Sequence, residues 1–423
     1  MNTSLLAPPL IAPPDQRLSQ DRAAGVIRKA FFERCRGEKV LVLIPDRTRT
    51  LPLPPLFQAL ADALLDADRV DFLIALGTHP PLPAEEIDQW VGMTARERAD
   101  RYPGLRIFNH DYHRPEELAC VGELPADQVR ALAGEAWHTS LDRAVPVTLN
   151  RRALDYDRIL ILGPTFPHEV VGFSGGAKYL FPGIAGPEMI NATHWLGALC
   201  GVQQTIGVKH TPVRAMIEAA ADMVPVPVTL IALVIEEGVS GLFIGDHQAA
   251  WEAAADLSAS RHIQTVNRRY RRVLSEAPAM YQELWTAAKA MYKVESVVED
   301  GGELILYAPH LDTISEAHGK IIRKIGYHVM PYFLKQWDEF QEFPLAVLAH
   351  STHLKGQGAF REGVEKPRIQ VTLASQLPPE TCRALNLGYQ DPDSIRPAEF
   401  AGHEQPGALY VPRAGERLCR FQG

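Results

Sequence analysis

The sequence predicts an α/β protein of two domains, each built on a mostly parallel sheet, with the active site in the cleft between them. Three observations lead there. The strand-length runs are continuously apolar rather than alternating, as strands buried on both faces must be. They alternate with stretches of helical period, the βαβ signature of a parallel sheet. And 423 residues are enough for two separate cores.

The elements follow in order. Residues 1–20 carry Pro8, Pro9, Pro13 and Pro14 and read as an extended arm. Strands are expected at 39–44 (KVLVLI), 70–76 (VDFLIAL), 158–163 (RILILG) and 228–234, with a helix at 56–65. The arginine-rich stretch 261–272 reads as a linker helix and a hinge, 281–297 as a helix, and 303–308, 345–349 and 368–373 as strands of a smaller second domain. This gives domains at 1–268 and 269–407, with the strand-like 408–411 a candidate to return to the first domain and rejoin 408–423 to it.

Composition narrows the function classes. Apolar residues make up 46% and charged residues 22%, the balance of an ordinary globular chain, and a net charge of −8 gives no basic excess for nucleic acid. Five dispersed cysteines with no CxxC pair suit neither a disulfide framework nor a structural zinc site, and a reducing cytoplasmic setting is expected. The N-terminus lacks the basic region of a signal peptide, and no apolar run approaches a membrane span.

In open α/β sheets, ligands bind outside the carboxyl ends of the strands. Asp46, His79 and Thr165 each follow a predicted strand within a few residues. The segment Pro45-Asp46-Arg47-Thr48-Arg49-Thr50 adds two guanidinium groups, whose planar fork suits a carboxylate or phosphate. The densest stretch, 163–186, holds five glycines between Gly172 and Gly186, with Lys178 among them. Its Ser174-Gly175-Gly176-Ala177-Lys178 turn can offer backbone N–H groups to a phosphate or serve only as a tight turn; Walker spacing is missing. His168 lies ten residues before Lys178 and His194 sixteen after. Histidine suits both acid/base work and metal ligation, but the spacing matches no common zinc pattern. Asn109-His110-Asp111 is a weaker candidate. On the helix expected at 281–297, Gln282, Trp285 and Lys289 share one face.

Taken jointly, Asp46-Arg47-Thr48-Arg49, Gly77-Thr78-His79, Pro167-His168, Gly175-Gly176-Ala177-Lys178 with Pro182-Gly183, Thr193-His194 and Tyr281-Gln282 resemble the nickel-pincer lactate racemase family. The likeness is clearest from Lys39 to His194. It implies a pyridinium mononucleotide with two thiocarboxyl groups holding nickel, tethered to Lys178, with His194 as a further nickel ligand. It makes His79 and His168 a pair of acid/base residues and assigns Asp46, Arg47, Thr48 and Arg49 to the nucleotide and active site, beside the turn at Gly175 and Gly176. Gln282 would contact a small 2-hydroxyacid substrate, Arg49 would hold its carboxylate, and cofactor-building enzymes become partners. The chemistry implied is reversible hydride removal through a planar 2-oxoacid, since direct loss of the α-proton from an ionised hydroxyacid is hard.

The pattern departs from the family at Trp285, where a substrate-binding lysine is the rule, with Lys289 a helical turn further on. That loss of a cation, together with His310, His350, His353, Lys355 and Gln357 in the second domain, points away from lactate toward a longer hydroxylated acid such as gluconate, epimerised at C2. Lactate, malate-like, hydroxyglutarate-like and aryl acids are the alternatives. Two rival classes are a nucleotide-dependent dehydrogenase or transferase, which lacks its GxGxxG, and a non-catalytic binding protein, which would not call for two acid/base histidines.

Overall fold

The computed structural model describes residues 4–400 and 407–422. Five strands of the first sheet run parallel in the order Val228–Ile235, Arg158–Pro164, Lys39–Pro45, Arg69–Ala75, Arg106–Asn109. Val239–Asp246 and Leu10–Ile11 extend it antiparallel, so the proline-rich arm ends as an edge strand. The continuous apolar runs have the cause expected of them. Leu41, Leu43, Ile159 and Ile161 face one apolar core, which includes residues of the helices Pro187–Cys200, Pro212–Ala221 and His247–His262. Val40, Val42, Ile44, Leu160 and Leu162 face the other, with helices Gln20–Phe31 and Leu53–Ala63.

After that edge strand, the parallel part of the sheet starts near its middle. After Lys39–Pro45 the chain adds strands on one side, then returns to lay Arg158–Pro164 on the other. The strand order reverses between these two neighbours, and a crevice opens at their carboxyl ends.

The second sheet is all parallel, in the order Gly388–Tyr389, Gln370–Ser375, Val298–Ala308, Tyr270–Glu276, Ala408–Val411. Leu304 and Leu306 belong to the same apolar cluster as Leu41 and Leu43, so one core is continuous across both units.

Four sequence expectations change. Residues 345–349 open a helix, Leu345–Lys355, in which every residue is buried. A helix buried all round has no polar face, so its apolar start cannot be told from a strand. Residues 281–297 form two short helices, Leu284–Ala287 and Lys289–Tyr292, and a 3-10 turn, Glu295–Val297. The arginine-rich 261–272 is no linker helix: His247–His262 ends there, and the β-branched Ile263–Val266 and then Tyr270–Glu276 are strands. Ala408–Val411 joins the second sheet, and the return is made later, by Leu418–Phe421 beside Ile263–Val266.

One buried carboxylate ties the edge of the first sheet together. Asp71, fully buried, accepts from the Tyr156 hydroxyl at 2.6 Å, Arg69 Nε at 2.6 Å and the Arg106 amide at 2.9 Å. Asp71→Ala leaves those donors unpaired and should cost about 2–4 kcal/mol, read as a lower urea midpoint. A loss below about 0.5 kcal/mol would show that the cluster contributes nothing.

Candidate active site

The crevice at the strand reversal is the mouth of a cleft closed from above by the second domain. Pro45, Asp46 and Arg49 enter it from one strand end, Gly77 and His79 from the next, and Pro164 from the third. Asp46 is buried and its carboxylate is saturated. Oδ1 accepts from the Thr48 amide at 2.9 Å and the Thr48 hydroxyl at 2.7 Å, and Oδ2 accepts from His79 Nδ1. Burial opposes ionisation, but His79, Arg49 and Thr48 outweigh it and hold the carboxyl well below the usual range. Because a carboxylate can only accept, Nδ1 of His79 carries a proton, so Nε2 is the lone-pair nitrogen of the neutral ring form.

The loop after Gly77 is locked to the loop carrying Lys178. The Gly77 amide donates to Gly183 O at 2.9 Å, and the Gly183 amide to Lys178 O at 3.0 Å. Gly175 (φ +84°) and Gly176 (φ +63°) lead into a 3-10 turn, Gly176–Tyr179. A Cβ on Gly175 would lie 2.7 Å from Thr165 Oγ1, and one on Gly176 2.9 Å from the Trp251 ring. Close packing thus accounts for both glycines. Gly175 reaches the cleft wall, and Lys178 projects into the cleft. Burial, with Arg49 adding to it, lowers the Lys178 amine to about 7.

His168 sits on the two-residue strand Pro167–His168, paired with Gly172–Phe173. Its Nδ1 lies 3.2 Å from the Val170 amide and 3.3 Å from Glu169 Oε2. Burial drives the imidazole far below its ordinary pKa, with Lys178 and Arg49 reinforcing it against Glu169. The ring is therefore neutral, Nδ1 accepts from the amide, and the proton resides on Nε2. The two histidines rest in opposite tautomers. His194, on helix Pro187–Cys200, donates Nδ1–H to Ile190 O at 2.7 Å, and burial lowers it to about 4. Its Nε2 lone pair is free for a metal.

The second domain supplies the opposite wall. Helix Leu345–Lys355 packs on Pro187–Cys200, and the Ala346 amide donates to Asn191 Oδ1 at 3.0 Å. This sets His350 and His353 into the cleft beside Trp285, whose ring stacks on His350 at 3.8 Å and 11°. Burial lowers His350 to about 3 and His353 to about 4. His350 Nδ1, His353 Nε2 and Lys289 Nζ are buried with no hydrogen-bond partner among the described residues. Lys289 lies 4.9 Å from the Tyr281 ring centroid, and burial, then Arg49, lowers its amine to about 7.

The cleft therefore gathers Asp46, Arg49, His79, His168, Gly175, Lys178, His194, Trp285 and Lys289. Other sequence candidates stand apart. Arg47 pairs with Glu86 at 2.6 Å at the surface, Thr48 acts through Asp46, and Gly176 backs onto Trp251. Gln282 is exposed, its amide turned to Ala279 O. His310 bonds Tyr281 O at 3.0 Å, Lys355 bonds Asn386 O, and the Gln357 amide donates to Glu295. His110 is a core residue, with Nε2 3.0 Å from Ala185 O. Sequence reasoning missed Glu169 and Tyr292, which line the cleft. Burial opposes ionisation of Glu169, but a backbone hydrogen bond and the nearby Lys289 favour its carboxylate. Its adjacency to His168 was the available signal.

Chemically, the cleft combines cationic side chains with imidazoles, an arrangement that could take an anion beside acid/base groups. Arg49, Lys178 and Lys289 face Asp46 and Glu169, and neither Arg49 nor Lys178 makes a side-chain hydrogen bond or ion pair among the described residues. Nor do three His, Cys, Asp or Glu side chains cluster as a metal site among those residues. A metal at His194 would take its other ligands from a bound group.

Fold and site together define a two-domain α/β protein with a cationic, histidine-lined cleft. Comparison with known proteins supports the lactate racemase family. The lactate racemase N-terminal domain matches residues 26–137 and 138–207. The lactate racemase of Thermoanaerobacterium thermosaccharolyticum is 25% identical over 293 residues, 67% of this chain and 63% of the relative. That of Lactiplantibacillus plantarum is 25% identical over 297 residues, 65% of this chain and 61% of the relative. Each alignment thus spans less than two thirds of the relative's own length. A Thermotoga maritima protein of known crystal structure shares 31% identity at a TM-score of 0.88, over 98% of this chain and 100% of its own. The lactate racemase apoprotein of T. thermosaccharolyticum shares the fold at a TM-score of 0.70 and 17% identity, over 97% of this chain and 96% of its own.

The tautomer assignment is testable without turnover. In Asp46→Ala, His79 loses the acceptor that fixes Nδ1–H. Its ring nitrogen chemical shifts should move from the Nδ1–H form toward the Nε2–H form otherwise favoured in water. Unchanged shifts would mean that Asp46 does not set the tautomer.

Proposed function

We propose that this chain is a racemase or epimerase of 2-hydroxyacids that works with a nickel-pincer nucleotide tethered at Lys178, with His194 ligating the nickel. The observation that carries this reading is the meeting of Lys178, His194, His79 and His168 in one cleft. The residues present fit the group. An amine lowered to about 7 is substantially unprotonated at neutral pH, as a covalent tether requires. A neutral imidazole with its Nδ1 proton engaged offers Nε2 to a metal. When bound, the group supplies a reversible acceptor for the hydride of the substrate's α-carbon.

The chain's own residues do the rest. Arg49 and Lys289, with no side-chain hydrogen-bond partner among the described residues, hold the substrate carboxylate. His79, with its bare Nε2, accepts the hydroxyl proton as the oxoacid forms. His168, with Nε2–H, donates when the oxoacid is reduced from its other face, and the roles exchange for the opposite enantiomer. Asp46 steadies the His79 ring through its Nδ1. Trp285 and Tyr292 wall the cleft and limit water.

Lys289 changes the substrate argument. A cation does enter the cleft from the second domain, one turn beyond the position that Trp285 fills, so absence of charge no longer argues against lactate. What favours a longer, hydroxylated acid is the wall behind it. Neutral His350 and His353 present unpaired ring nitrogens suited to hydroxyl groups, and the indole of Trp285 offers an apolar face. A sugar acid such as gluconate, epimerised at C2, uses all three. The five free cysteines suit the reducing cytoplasm, where cofactor-building enzymes would load the protein.

Protein produced together with those enzymes should carry a mass adduct at Lys178 and catalyse α-hydrogen exchange in heavy water. Gluconate should exchange faster than lactate, malate or mandelate; fast lactate exchange alone would reverse the substrate reading. His168→Ala should retain substrate affinity and lose at least about a hundredfold in exchange rate. Equal exchange by the variant would remove His168 from the chemistry. Lys289→Met should raise KM about tenfold or more, the loss expected for one charged hydrogen bond, and an unchanged KM would take it out of the substrate site.

A further inference from the structure

The loop that presents Lys178 is gripped from behind by two side chains outside the cleft. Arg214, on helix Pro212–Ala221, and Trp251, on helix His247–His262, line a separate depression. Both are buried. Arg214 Nη2 donates to Phe173 O, Trp251 Nε1 to Ser174 O at 3.0 Å, and Arg214 Nη1 to Gly175 O at 3.3 Å. Three consecutive carbonyls are thereby held by one guanidinium and one indole. These two groups also hold each other, the guanidinium carbon lying 4.0 Å from the indole centroid.

Main-chain carbonyls are an unusual use for a buried arginine, because desolvating the charge is costly. Here Glu218 balances it at 3.4 Å and is itself fixed by His247 at 3.1 Å and Gln248 at 3.3 Å. The target explains the arrangement. Gly175 and Gly176 are the most permissive residues of the loop, both at positive φ and without side chains to restrain them. Gly175 O also accepts the amide of Lys178 itself, at 3.3 Å. The Arg214 fork therefore ends one hydrogen bond from the backbone of the lysine.

We propose that Arg214 and Trp251 are positioning residues for Lys178, locking the glycine turn so that the amine is delivered to the cleft in one orientation. The purpose, though not the clamp, rests on the reading of Lys178 as the tether.

Two measurements test it. Hydrogen exchange on the cofactor-free full chain should show amides 174–180 exchanging about fivefold to tenfold faster in Trp251→Phe, which loses one donor, and faster still in Arg214→Met. Amides of the second sheet should be unaffected. In protein produced with the cofactor-building enzymes, the fraction carrying an adduct at Lys178 should fall several-fold in both variants. Loop exchange unchanged, or raised equally throughout the chain, would overturn the proposal, as would adduct occupancy equal to that of the unaltered protein. If Arg214→Met does not fold, Trp251→Phe alone decides by the same criteria. An unaltered chain that never carries an adduct would instead sink the tether reading, with the exchange result still judging the clamp.

Discussion

Arg49, Lys178 and Lys289 enter one cleft against Asp46 and Glu169, and Asp46 is already saturated by Thr48 and His79. Buried charge without a counterion is costly, and a fold tolerates it where a ligand supplies the missing charge. The rest of the site follows from that imbalance. Burial, with repulsion from Arg49 adding to it, lowers the amines of Lys178 and Lys289, while Asp46 and Glu169 stay ionised beside the cations. The same dry surroundings keep His168 and His194 neutral. One cleft thus holds an unprotonated amine, metal-ready imidazole and an anion-binding guanidinium at neutral pH, a combination that separate solvated side chains would not give.

The arrangement needs both domains in register. The two loops of the first sheet are joined through Gly183, which bonds the Gly77 turn on one side and Lys178 on the other. The wall that faces them rides on Leu345–Lys355, seated on the helix that carries His194. His194 and His353 therefore approach across a helix–helix contact within a continuous core. A movement of the second domain would shift Lys289, Trp285 and the two histidines together and leave the Lys178 loop in place.

Much of this was legible in the sequence, for a local reason. Asp46, His79, Lys178 and His168 lie within a few residues of strand ends or glycine turns, and parallel-sheet topology brings such positions to one edge. What was not legible depends on contacts between distant segments. The apolar start of Leu345–Lys355 read as a strand because no polar face marks a helix enclosed on every side. Gln282 shares a helical face with Lys289 only if one helix runs through both. The chain instead turns into the cleft at Leu284, where the Leu284 and Trp285 amides donate to Thr313 O and Ile314 O, and Gln282 is left outside. Gly175 and Gly176 fit either a phosphate cradle or a tight turn, and nothing in the sequence reveals that Thr165 and Trp251 press against them.

Trp285 and Lys289, four residues apart, both reach the cleft from the segment that follows the turn at Leu284. With the helix divided into Leu284–Ala287 and Lys289–Tyr292, spacing along an ideal helix no longer dictates which side chains meet. Trp285 is drawn against His350, and Lys289 reaches over Tyr281. The aromatic ring and the cation thus both face the cleft from one short segment, where a single lysine at position 285 would supply charge alone. Charge fixes a carboxylate, whereas an indole backed by neutral imidazoles adds surface for the remainder of a longer molecule. On the proposed function, specificity would be set by the division of labour between these two side chains, and the chemistry by the histidine pair and amine of the first domain.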